Sequence, residues 1–475
     1  MDQDQSRLAR EPVGRLMRRY AVPCIISLLV AALYNIVDQI YIGWGVGAEG
    51  NSATNIVFPL TVLALALATM IGDGACSFIS IRLGAGDREN AGRAAGNAVT
   101  LSVLTGLVLM AVYFLFADPL LRLFGAGADV SALTRGYARD YFLWIAAGIP
   151  FYLFGQAMNP IIRSDGSPRI AMVATLAGAV ANIILDPIAI FVLHWGVAGA
   201  AIATVAGQVI TAAISLVYLT RMKSVRLTKS CFTPAWQLIR QFLPLGFTSF
   251  LSQFSLVLSM AVMNNAMMKY GALSAFATYS ESSGRMVADI PLAVQGIVMK
   301  YYQIVISVVV GMAAGCIPIV GFNFGAQEFS RCRAMQHRLI ACEAAVGAAA
   351  LLCFELLPLP LIRLFGTDNP QVYFDFACIA FRIYLSMTVL DCVNKAAFIY
   401  LQSLGRALES TLLSLLREVV LAVPLAIVLP KLASARFGME NGVYGLLISM
   451  PCAAILTFCV AAAILIRTGR RLKNA

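Results

Sequence analysis

Apolar residues recur along this chain in twelve blocks, each about 18 residues or longer, which is the length a helix needs to cross a bilayer. They lie at roughly 18–43, 52–81, 94–117, 138–160, 169–193, 197–220, 239–268, 287–322, 336–360, 374–402, 407–430 and 442–467. Short polar stretches separate them. In lipid the backbone must satisfy its own hydrogen bonds, so blocks of this length predict spanning helices. The expected fold is an all-α polytopic membrane protein with twelve transmembrane helices. Met1–Tyr20 is polar and Arg-rich and runs into the first block without a small-residue cleavage site, so no removable signal peptide is expected.

The blocks repeat. Arg122–Ala126 (RLFGA) returns as Arg363–Thr367 (RLFGT), and the Gly84-Ala85 pair returns as Gly325-Ala326 at the same separation. Further along, Asp186–Ile190 (DPIAI) matches Val423–Ile427 (VPLAI), and Gly196–Gly199 (GVAG) matches Gly442–Gly445 (GVYG). Pro23 of the first block lines up with Pro244 of the seventh. Several matches in one order mark two six-helix halves in tandem. Six crossings return the chain to its starting side, so the lobes are expected to be related by an approximate two-fold axis along the membrane normal. The predicted division is an amino-terminal lobe at 1–220, a linker at 221–238 and a carboxyl-terminal lobe at 239–475. The second half carries extra residues near 269–291, including Ser280, Glu281, Ser282, Ser283, Arg285 and Asp289, expected as a polar cap on the outer side.

Composition agrees with the pattern: 60% of residues are hydrophobic, 12% are charged, and mean hydropathy is +0.81. The formal net charge of +11 raises the question of a nucleic-acid binder. Its distribution answers it, because most Lys and Arg fall in loops on one side of the predicted membrane, from Arg7 and Arg19 through Arg221 and Arg240 to Arg467 and Lys473. That bias is topology, with both termini expected in the cytoplasm. The cysteines show no CxxC or CxxH spacing, so neither a metal site nor a disulfide framework is indicated.

Polar residues inside apolar blocks carry the candidate chemistry. Asn182 and Asp186 stand four apart in the fifth block, on one helical face, and Pro187 follows at once. A carboxyl at membrane depth costs roughly 2.5–3.5 kcal/mol and calls for a proton, a cation or a basic partner. Aligned on Pro187 and Pro424, Asn182 and Asp186 correspond to Val419 and Val423; aligned on Pro23 and Pro244, Asp38 corresponds to Ser259. The fold does without these residues in its second half, which argues for function in the first. The second half instead places Lys300, Arg382, Lys395 and Arg417 in apolar surroundings, with Asp391 and Lys395 at i, i+4 spacing and Glu418 beside Arg417. They are read either as mutually neutralising or as a basic hollow for an anionic compound.

These residues carry a resemblance over essentially the whole chain. Leu33–Ile42 (LYNIVDQIYI), Gly84-Ala85, Ile317–Ala326 (IPIVGFNFGA) and Gln402–Arg406 (QSLGR) resemble the multidrug and toxic compound extrusion (MATE) transporters. The resemblance implies an antiporter, not an enzyme, exporting small organic compounds by alternating access between two lobes. It needs no cofactor, takes H⁺ or Na⁺ as coupling ion, and works as a monomer in the plasma (inner) membrane. It also implies a cation site of Asp38, Asn182, Asp186 and Thr204, binding Na⁺ in the sodium-coupled case. Some relatives use a carboxylate in the seventh helix, where this chain offers Gln253. Candidates for the substrate cavity are Tyr34, Gln39, Asn55, Gln156, Gln253, Lys300 and Arg417. The alternative is a flippase or exporter of lipid-linked or anionic amphipathic substrates. A membrane enzyme would need a convergent nucleophile and base, and the two histidines, His194 and His337, form no motif.

Overall fold

The computed structural model describes residues 3–127, 131–271, 289–364 and 371–474. Every regular element among them is helical. Each apolar block becomes one helix long and apolar enough to cross a membrane. In chain order, and numbered first to twelfth, these are Val13–Gly45, Glu49–Gly84, Arg88–Leu115, Ala132–Ser164, Pro168–Val192, Gly196–Leu219, Trp236–Gly271, Val294–Gly325, Phe329–Leu356, Tyr373–Ser403, Ala407–Phe437 and Met439–Asn474. Ser280 to Arg285 of the expected polar cap, and Gly366 and Thr367 of the repeated motif, lie outside the described residues. The described parts of that motif close two short helices, Ala117–Leu123 and Pro358–Arg363.

The fifth and eleventh helices each contain a wider π turn, at Ile188–Val192 and Leu416–Leu421. The first follows Pro187 directly, where the missing N–H interrupts the regular hydrogen-bond ladder. The tenth helix is broken at Ser386 and Met387, between Gln371–Leu385 and Thr388–Ser403.

The chain forms two compact units. The first comprises Met1–Phe254, Gly311–Cys332 and Tyr400–Ala407; the second comprises Ser255–Val310, Arg333–Ile399 and Leu408–Ala475. In the first, Leu60, Tyr113, Phe142, Ile145 and Ile149 are buried together, and the Tyr113 hydroxyl donates to the Leu60 carbonyl at 2.6 Å. The second is built on Phe354, Phe376, Phe381, Leu446 and Leu447.

The repeated glycines have a packing reason. Within the first unit Gly84 lies against the Phe322 carbonyl and Gly325 against the Ile81 carbonyl, so a Cβ on either would overlap backbone. The same unit buries an ion pair between Arg163 and Asp73 at 3.6 Å, and Asp73 accepts from Ser249 at 2.9 Å. Arg163 falls between two apolar blocks in the sequence, yet it is a buried partner of an acid inside the second helix. The chain after the sixth helix is tied down by two side chains. Asp165 accepts from the Tyr218 hydroxyl at 2.6 Å and from the backbone N–H groups of Lys223 at 2.8 Å and Ser224 at 2.7 Å. Burial pushes its carboxyl above the ordinary carboxylate range, and these donors oppose that shift. Asn97 of the third helix donates to the Cys231 carbonyl at 3.0 Å and accepts from the Ala235 N–H at 2.6 Å.

Two of these local contacts can be checked by melting. Gly84→Val forces a branched side chain into touching backbones and is expected to cost about 1–3 kcal/mol, read as a lower melting temperature of purified protein. Asp87 caps the third helix by accepting from the Asn90 N–H at 3.1 Å, and its hydrogen bonds with Asn90 hold its carboxyl below the usual range. A depressed folded-state value stabilises above the unfolded one and is lost as pH falls through the folded one. Asp87→Ala should therefore cost about 1 kcal/mol at neutral pH, and its melting difference from the parent should vanish in acid.

Candidate functional site

The fifth and sixth helices touch through two glycines. A Cβ on Gly178 would sit 2.6 Å from the Gly207 carbonyl oxygen, and one on Gly207 would sit 2.6 Å from that of Gly178. One turn from each glycine, this approach brings Asn182 and Thr204 together. The Asn182 amide donates to the Thr204 hydroxyl at 3.2 Å and to Asp186 Oδ1 at 3.0 Å. Asp38, on the first helix, stands with its carboxyl within hydrogen-bonding reach of Asp186. Asp38, Asn182 and Asp186 are all buried, Asp186 completely. All four residues expected at a cation site therefore converge, from three helices.

The convergence leaves acceptors over. Asp38 Oδ1, Asn182 Oδ1 and Asp186 Oδ2 are buried with no hydrogen-bond partner. Buried polar atoms are ordinarily paired, so three orphaned oxygens on neighbouring side chains ask for a shared ligand. Two carboxyls held this close in a dry site need a proton or a cation between them. With the Thr204 hydroxyl they offer hard oxygen ligands, suited to H⁺ or Na⁺.

Beside the cluster lies a hollow of about 40 Å³ lined by Tyr34, Tyr152, Gln156, Asn182, Thr204 and Gln208, among others. That volume holds a few waters, not an organic compound. Of the expected cavity residues, Tyr34 and Gln156 line it; Gln39, Asn55 and Gln253 do not. Two lining or neighbouring residues were not anticipated. Gln208 stands four residues after Thr204 on the same helical face, the spacing that singled out Asn182 and Asp186, and its Oε1 is also buried without a partner. Tyr141 of the fourth helix reaches the Thr204 hydroxyl, and nothing in its local sequence marks it.

Comparison with known proteins gives the family. The sequence profile of the MatE family matches residues 23–188 and 273–428. The chain belongs to the MatE family. It is a membrane transporter, not an enzyme. Among its MatE-family relatives is the multidrug export protein MepA of Staphylococcus aureus (strain MRSA252), 24% identical over 458 residues, covering 96% of this chain and 94% of the relative. MepA of Staphylococcus saprophyticus is likewise 24% identical, over 461 residues. Two solved MatE-type structures superpose over nearly everything. A MATE protein in a straight conformation gives a TM-score of 0.87 at 25% identity, covering 100% of both chains. The MATE multidrug transporter DinF-BH gives 0.85 at 30% identity, covering 98% of both.

In this MatE-family chain the second unit holds polar groups of a different kind. Arg417, on the π turn of the eleventh helix, binds Asp391 Oδ1 through Nη2 at 2.8 Å and Glu418 Oε2 through Nη1 at 2.9 Å. Lys395 pairs with Glu418 Oε1, and the Tyr302 hydroxyl donates to Asp391 Oδ2 at 3.2 Å. The i, i+4 spacing of Asp391 and Lys395 suggested that they pair with each other; each instead reaches across to the π turn. Lys395 and Arg417 are buried as expected, but Lys300 is exposed, and so is Arg382, which pairs with Glu355 at 3.7 Å. Both long side chains escape the apolar interior that their sequence neighbours suggested.

Breaking a buried ion pair from one side strands a charge, whereas removing both partners does not. Glu418→Gln is expected to destabilise the protein by about 3–5 kcal/mol. The double variant Lys395→Met with Glu418→Met should recover part of that loss, as read by melting of purified protein.

Proposed function

We propose that this chain is a cation-coupled exporter of small organic compounds, drugs included, that works by alternating access. One observation carries the reading: Asn182 and Thr204 belong both to the oxygen cluster with Asp38 and Asp186 and to the wall of the adjoining hollow. Ion and substrate therefore act on shared side chains. With the cluster empty, two neighbouring carboxylates repel and the first and fifth helices are pushed apart. Taking up a proton or Na⁺ removes the repulsion and draws them together. The π turn after Pro187 gives the fifth helix a place to bend. A hollow of about 40 Å³ fits the contracted, ion-loaded arrangement, and unloading would enlarge it to admit an organic compound. The multidrug export relatives support small organic substrates over the lipid-linked alternative.

The same reading places the protein as a monomer in the plasma membrane with both termini cytoplasmic. It treats 1–220 and 239–475 as the two lobes, and Na⁺ or H⁺ as cargo of the antiport.

The test is efflux from proteoliposomes of a panel of cationic, neutral and anionic fluorescent dyes, under a Na⁺ gradient and a pH gradient applied separately. Export is expected to follow one gradient and to fall at least about tenfold in Asp186→Asn and Asp38→Asn, the loss of roughly 1.4 kcal/mol or more of coupling. Export indifferent to both gradients, or unchanged in both variants, would remove the cluster from the mechanism.

A further inference from the structure

The twelfth helix ends in a basic run whose side the topology accounts for, but whose arrangement on one face the oxygen cluster does not use. Leu456, Val460, Ala463, Arg467, Arg470 and Asn474 follow one another at alternating steps of four and three, which on a helix makes a single continuous stripe. The opposite face, with Ala461, Leu465, Thr468 and Leu472, is buried. It is held to the ninth helix by the Gln336 side-chain amide, which donates to the Leu465 carbonyl at 3.1 Å. The stripe therefore faces outward, with Leu456 48% and Val460 41% exposed.

Along its length the stripe changes character once. Leu456 to Ala463 is apolar; Arg467 to Asn474 is basic, with Ile466 and Arg471 flanking the change. Ala463, Ile466, Arg467, Arg470, Arg471 and Asn474 border one shallow groove. At 1.5 Å per residue, Leu456 and Arg470 are about 21 Å apart along the axis, about the length of an extended acyl chain. The three arginines are exposed and make no ion pair among the described residues. Their own helix offers them no acid beyond Glu440 at its start, the last Asp or Glu in the sequence. Elsewhere arginines near helix ends do find acids: Arg19 stands 3.9 Å from Glu11 and Arg82 3.4 Å from Asp87. Placing positive charge at a helix C-terminus accounts for some basic residues there. It does not account for two on one outward stripe, with a third beside them, above an apolar run.

We propose that this face of the twelfth helix is a binding site for an anionic phospholipid, with its phosphate among Arg467, Arg470 and Arg471 and an acyl chain along Ala463, Val460 and Leu456. Guanidinium groups suit the site because each can present two parallel N–H donors to phosphate oxygens. Lipid is the occupant because the apolar half of the stripe lies in a membrane-spanning helix and continues the basic half without a break.

The experiment is native mass spectrometry of the full chain in detergent, titrated with phosphatidylglycerol, with phosphatidylcholine, and with inorganic phosphate as competitor. Phosphatidylglycerol should bind in preference to phosphatidylcholine, and phosphate should not displace it. Each arginine near an anionic lipid surface is worth roughly a fivefold change in affinity, so Arg467→Gln/Arg470→Gln/Arg471→Gln should bind about a hundredfold more weakly. The corresponding triple Lys variant should keep most of the affinity. Should the triple Gln variant fail to fold, Arg470→Gln alone decides, with a loss of about fivefold. Equal binding of the two lipids, displacement by inorganic phosphate, or undiminished binding in the Gln variants would overturn the proposal.

Discussion

A bilayer interior offers no water, so any polar group inside it must find its partner within the protein. Most features of this chain are answers to that requirement. The backbone answers with helix in every regular element among the described residues. Where helices approach closely, glycine removes the side chain that would keep carbonyls apart, as at Gly84 with Gly325 and at Gly178 with Gly207. The second of these contacts does more than pack. It brings an amide and a hydroxyl from different helices within 3.2 Å and so builds one wall of the oxygen cluster.

The requirement also makes unanswered polar atoms informative. In the first unit, Asp38, Asn182 and Asp186 each keep one oxygen without a partner. In the second unit, Asp391, Lys395, Arg417 and Glu418 leave nothing over: two acids and two bases close on one another, with Tyr302 completing the set. The contrast separates two uses of charge in lipid. A circuit of matched ion pairs is complete without a ligand, while a cluster of acceptors alone is complete only with one. The tandem halves thus share a scaffold and a π turn in corresponding helices, and differ in whether the polar groups beside that turn are self-sufficient.

Side-chain chemistry was legible from the sequence where spacing along a single helix decided it. Asn182 and Asp186 were found by their four-residue step, and Gln208 could have been found from Thr204 by the same step. Tyr141 could not, since only the packing of the fourth helix against the sixth brings it to Thr204. The pairing of Asp391 with Arg417 and of Lys395 with Glu418 was likewise hidden, because the i, i+4 rule speaks for surface helices and takes no account of a second helix offering better partners. Lys300 and Arg382 show a related limit. Hydropathy averages over a window, but exposure depends on which way one long side chain turns.

The order of residues was enough to establish the twelve helices, their tandem repetition and the likeness to MATE transporters, because lipid enforces length and apolarity on every crossing and leaves little freedom in how a span is written. It also singled out Asp38, Asn182 and Asp186, since acids at membrane depth are too costly to be incidental, whereas Thr204 came only through the likeness to MATE transporters. The packed molecule was needed to show which oxygens remain open, which charges are cancelled, which wall the cluster shares with the hollow, and which face of the last helix turns outward. Those outcomes depend on the approach and rotation of helices distant in the chain, set by glycine contacts and side-chain packing that no single helix encodes.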